Sequence, residues 1–193
     1  RFPVIDLGLS SVNHTSHLTL AQDRWVLWVN GPDLGPAVLF WGVLLALLIV
    51  SILLGRANIT PLKSWQWFLL AIGLSQSSPY LMVLMVLWLV AITQRENLTR
   101  LLPNWGFNSM QIGLLLLTFF ALLSLFGAVA NGLLGEPDMQ ITGFNSNAYD
   151  LNWYQDRTGT LLPQPVVFSV PILVYRLLML LWALWLAITV LGW

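Results

Sequence analysis

The sequence predicts an all-α integral membrane protein: three transmembrane helices plus one re-entrant helical hairpin, with short extracytoplasmic β segments. Three observations carry this reading. Of the 193 residues 58% are hydrophobic and 8% charged, against about 25% charged in soluble domains, and the charges fall between long apolar runs. The apolar stretch at residues 65–93 is broken at its middle by Ser75-Gln76-Ser77-Ser78-Pro79. The basic residues of the connecting loops then fit one topology only if that stretch enters and leaves on the same side.

Composition also excludes classes of function. Formal net charge is zero, so nothing points to nucleic acid as a partner, and the absence of cysteine rules out thiolate metal sites, disulfides and cysteine nucleophiles. Mean hydropathy is +0.78. Most of the eleven Trp fall near the ends of apolar runs, where amphipathic indoles favour the membrane interface. The chain opens at Arg1 rather than Met and stops at Trp193 on an apolar helix, the pattern expected of part of a longer polypeptide.

Residues 1–33 read as an extracytoplasmic β segment, the end of a larger domain lying upstream. VNHTSHLTL (12–20) alternates apolar and polar residues, RWVLWV (24–29) is rich in Trp and Val, and Asn30-Gly31-Pro32-Asp33 is a turn signal. Two strands make no stable sheet alone, hence the expected upstream partner. His14 and His17 lie three apart and so face opposite sides of a strand, with no third ligand nearby; no metal site follows.

Residues 34–193 read as the membrane domain. Its first span is 34–54, with Pro36 in the first turn and Gly42 and Ala46 as a small-residue pair. Residues 65–93 form the hairpin: as one helix they would extend about 43 Å against a core of about 30 Å. Pro79 removes an amide and disfavours helical geometry at Ser78. The second span is 110–134, where Gly127, Ala128, Asn131 and Gly132 make a small-residue face. An extracytoplasmic loop, 135–165, contains NAYDLNWYQDRTG, which reads as strand and turn, with Trp153 and Tyr154 free to lie on a membrane or a soluble domain. The last span is 171–193, with Ser169 as its N-cap and Pro171 near its start.

Arg56 and Lys63 mark the 55–64 loop as cytoplasmic, Arg95 and Arg100 do the same for 94–108, and Glu136, Asp138, Asp150 and Asp156 against Arg157 send 135–165 outside. The expected localisation is the bacterial inner (cytoplasmic) membrane, N-terminus extracytoplasmic and C-terminus cytoplasmic. Three sequons, at Asn13, Asn58 and Asn97, are what chance supplies, and two of them would face the cytoplasm.

No chemistry of catalysis is legible. Both His lie in the N-terminal segment, no Asp or Glu falls within a span, no glycine-rich phosphate loop occurs, and Ser75, Ser77 and Ser78 lack a base. No cofactor is expected, and the chain reads as no enzyme. The one candidate site is a polar intramembrane cluster of Ser75, Gln76, Ser77, Ser78, Pro79 and Arg176. Arg176 stands about 8 Å along the last helix and the break about 15 Å up from the other side, leaving a gap an Arg side chain spans. Arg176 is expected to donate to Gln76 or to carbonyls freed by Pro79, or else to snorkel to the headgroups.

TPLKSWQWFLLAIGLSQ, NWYQDRTGTLLP and VYRLLMLLWALWLA together resemble the C-terminal membrane region of large, poorly characterised bacterial inner-membrane proteins in which a long extracytoplasmic β-rich portion precedes the helices. The resemblance implies architecture and no activity. The expected function is a non-catalytic membrane domain anchoring a larger extracytoplasmic domain. Its partners would be the lipid bilayer, that upstream domain, and other membrane subunits or a second copy. The alternative is a channel or transporter element whose re-entrant tip lines a pore.

Overall fold

The computed structural model describes residues 4–57, 60–99 and 104–192, so Arg1, Asn58, Arg100 and Trp193 lie outside the described residues. Among the described residues the chain forms five helices and six strands, and it divides into two units, each drawn from separate parts of the sequence. The first joins residues 1–43 to 136–175, and the second joins 44–135 to 176–193.

The first unit is built from strand pairs. Strand β1 (Ser11–Thr19) runs antiparallel to β5 (Asp150–Thr158), and β2 (Arg24–Asn30) runs antiparallel to β6 (Val166–Pro171). A third pair joins β3 (Ala37–Val38) to β4 (Ile141–Thr142). The N-terminal strands thus find their partners downstream, in and just after the loop that precedes the last helix. Val26 and Val29 of β2 and Leu151 and Trp153 of β5 form the core of the unit: alternation puts Leu151 and Trp153 on one face, and a register shift between Val26 and Trp28 brings Val26 and Val29 together. Trp153, expected to lie on a membrane or a soluble domain, is 1% exposed in the core of this unit. Its ring fills the space that side chains at Gly31 and Gly35 would take, since a Cβ at either would stand 2.3 Å from the indole.

The second unit is helical, and its helices correct the expected fold class. The protein is not all-α with three spans and a re-entrant hairpin; it is a mixed α and β chain in which two of the described helices are long and apolar enough to cross a membrane. These are α4 (Asn104–Leu134) and α5 (Ile172–Gly192). The expected first span, 34–54, shrinks to α1 (Phe40–Arg56), whose 17 residues reach about 25 Å, short of the hydrocarbon thickness. Its lost start is held in extended form: Leu34 exchanges both backbone hydrogen bonds with Tyr154, at 3.1 and 2.8 Å, and Ala37–Val38 pair with β4. The expected hairpin of ten and fourteen residues is instead α2 (Ser64–Leu74), with 11 residues, followed by α3 (Pro79–Thr99), with 21. The break falls where the sequence puts it, but the second helix runs on through Gln94, Arg95 and Glu96, so the pair is not two matched short arms. Ser169 is not a cap either: it lies within β6, opposite Val26, and its hydroxyl accepts from Arg24 Nε at 3.3 Å. The small-residue face of α4 is only partly used. Gly132 receives Met179 and Ala128 is buried, while Gly127 faces open space and Asn131 is exposed.

Candidate functional site

The polar break between α2 and α3 satisfies most of its backbone by itself. The Ser75 N–H is shared between Ala71 O at 2.9 Å and Ile72 O at 3.2 Å, and the Ser77 N–H reaches Leu74 O at 2.9 Å. The Ser75 hydroxyl donates to Ile72 O at 2.6 Å. Leu81 N–H then closes the first turn of α3 on Ser78 O at 2.9 Å, with Pro79 in the opening position where a missing N–H costs nothing. Ser75, Gln76 and Ser77 are half-buried and Ser78 is exposed. Within the break, Ser77 Oγ is closed off without a hydrogen-bond partner among the described residues.

Among the described residues no hydrogen bond joins Arg176 to this break. Arg176 is exposed on α5 and, among the described residues, makes no hydrogen bond or ion pair. Among the described residues the break brings together hydroxyls and an amide, and no hydrogen bond joins its serines to an acid or base that would activate them. No group of three metal-type ligands assembles among the described residues. His17 Nδ1 lies 2.6 Å from Asn152 Oδ1, and its Nε2 is 3.1 Å from Thr19 Oγ1, while His14 bonds Ser16 at 2.9 Å.

What the sequence reading missed is the use of tryptophan inside the helical unit. Trp67, Trp88 and Trp182 are buried rather than interfacial, and each indole N–H has a partner: Thr60 Oγ1 at 3.0 Å, Thr118 Oγ1 at 3.1 Å and Leu69 O at 2.8 Å. The last ties α5 to α2. Gly73 lies one turn beyond Leu69 and leaves room for the ring, since a Cβ there would stand 1.9 Å from Trp182 Cε2. Mid-helix placement of Trp182, away from either end of its apolar run, was the available signal. A partly open cavity of about 70 Å³ lies among α1, α2 and α3, lined by Leu47, Ser51, Leu70, Leu74 and Met85 among others. The Ser51 hydroxyl within it is already spent on Leu47 O at 2.6 Å. The cavity is apolar and offers no reacting group.

The site and fold together define a chain with a strand-paired unit and an apolar helical unit. No family model matches the chain, and no curated protein or solved structure matches it.

Proposed function

We propose that this chain is a non-catalytic membrane-anchoring module of a larger bacterial envelope protein. The helical unit sits in the inner membrane, and the strand-paired unit lies on its extracytoplasmic side. One observation carries the reading. A core helix of a soluble protein is mostly buried, whereas within the most apolar stretches of α4 and α5 only 17% and 22% of residues are buried. Side chains such as Phe119, Phe126, Leu181 and Leu184 are exposed. Such surfaces match hydrocarbon, not water. Residues 136–171, between α4 and α5, belong to the same unit as the N-terminal strands through the β1–β5 and β2–β6 pairs, which supports one side for both and the cytoplasm for the end of α5. The acidic excess of 135–165 supports the outer side. The resemblance to the C-terminal membrane region of large inner-membrane proteins supports an upstream extracytoplasmic domain on the same polypeptide. Partner subunits or a second copy then meet the apolar helix faces.

Because the chain has no native cysteine, single cysteines give a clean test. Thr160→Cys is expected to react with a membrane-impermeant maleimide in intact spheroplasts, and Gly192→Cys only after permeabilisation. The chain is expected to stay in the membrane pellet through carbonate extraction. Release by carbonate, or labelling of both positions from outside, overturns the reading.

A second reading, a channel or transporter element, rests on the unpartnered Ser77 hydroxyl at the break. It requires water at that point. Ser77→Cys would then react with a small charged methanethiosulfonate in the folded protein, whereas the anchor reading expects no reaction.

A further inference from the structure

We infer that the outer face of the β2–β6 pair lies in the phospholipid headgroup layer, with Trp28 and Phe168 as its anchors. The inference rests on the membrane reading above and extends it from the helices to the strands. Trp28 and Phe168 are register partners, and they are 56% and 58% exposed. The register shifts between Val26 and Trp28. That irregularity lets β2 bury Val26 and Val29 on one side while turning Trp28 to the other. A water-facing side of an antiparallel pair carries polar residues; here a Trp stands opposite a Phe.

The same irregularity fixes where this pair stands along the chain. The carbonyl of Leu27 accepts the Trp41 indole N–H at 2.8 Å, which ties the first turn of α1 to β2. Ile172, the first residue of α5, donates its N–H to Asp23 O at 2.8 Å, which ties the first turn of α5 to the approach to β2. Both opening turns belong to the same unit as the strands. The opening turns of two apolar helices are therefore bonded at β2 and just before it, and the exposed Trp41 is bonded next to Trp28. Indole rings, apolar in body and polar at one edge, favour the headgroup layer. A second copy of the chain is the weaker occupant. One Trp–Phe pair buries at most about 300–500 Å², well under the roughly 1,200 Å² of a stable interface.

The test is nitroxide labelling of the full chain in phosphatidylcholine vesicles, reading collision rates with oxygen and with a water-soluble nickel chelate. Labels go at Trp28→Cys, Phe168→Cys, Leu181→Cys at mid-α5, and Thr160→Cys as the water reference. Expected are nickel collision rates at Trp28 and Phe168 several-fold below those at Thr160, with oxygen rates between those at Thr160 and Leu181. If Leu181 reports hydrocarbon while Trp28 and Phe168 match Thr160, the inference is overturned and the membrane reading stands. Labels at Trp28 and Phe168 shielded from both reagents mean a protein partner covers the face, which also overturns it. A Leu181 label in water removes the membrane reading and the inference with it.

Discussion

Trp153 shows how one side chain dictates its neighbours. It is 1% exposed, and the indole occupies the volume that a methyl group at Gly31 or Gly35 would need. Gly35→Ala is therefore expected to cost about 1–3 kcal/mol by overpacking, read as faster hydrogen exchange across residues 150–158. Gly159→Ala, where nothing lies within 4 Å of the added carbon, should leave that exchange unchanged. Tyr149 gives a pH-dependent counterpart in the same unit. Burial, then the hydrogen bond it donates to Glu136 and the charge of that carboxylate, push its pKa from 10.0 up to about 12. The folded chain thus holds the phenolic proton after the unfolded chain has lost it. This contribution to stability is whole below pH 10.0 and disappears as pH rises through about 12. Tyr149→Phe should remove the highest-titrating phenol from a 295 nm difference titration and flatten the loss of stability over that window; a Tyr149 midpoint near 10 would refute the assignment.

Helix packing in the second unit turns on a notch and a knob. Trp182 of α5 enters the gap at Gly73 of α2 and donates to Leu69 O at 2.8 Å, so the two helices are joined by shape and by one hydrogen bond. Gly73→Ala should destabilise the unit by about 1–3 kcal/mol, lowering the midpoint of detergent-induced unfolding followed by circular dichroism. Gly127→Ala, facing open space on α4, is the control expected to leave it in place. At this scale the sequence was legible where periodicity or a breaker was strong. The alternation in β1 and the Trp and Val of β2 put their strands within a residue of where they lie, and the Ser-Pro interruption marks the boundary between α2 and α3, though not the far end of α3. It was not legible where a run was apolar throughout. VVFSVP and the start of the 34–54 run could be strand or helix by pattern alone, and pairing with distant strands decided for strand in both. Arg176 marks a related limit: its depth along a helix is legible, its rotational position is not, and on α5 it is exposed.

The two units interleave along the chain, and that ordering governs how the molecule assembles. Each unit takes one early and one late segment, so the charge pattern and loop lengths along the sequence could not reveal that the first strands wait for the last. His17 and Asn152, bonded at 2.6 Å, are separated by 135 positions. Long-range pairing of this kind forms late, because the intervening chain must first be made and ordered before contact repays the closure entropy. Among the described residues β1 pairs with β5 and β2 with β6, and the two early strands do not pair with each other. A chain ending at Gly135 therefore holds both early strands but neither partner. In such a fragment trypsin should cleave rapidly after Arg24, at the head of β2. In the full chain the same bond, held by pairing of Arg24 with Pro171 and by its hydrogen bonds to Ser169, should resist at equal protease concentration. Equal rates of cleavage in the two would mean that the early strands fold without the late ones, and the dependence of the first unit on its closing strands would be wrong.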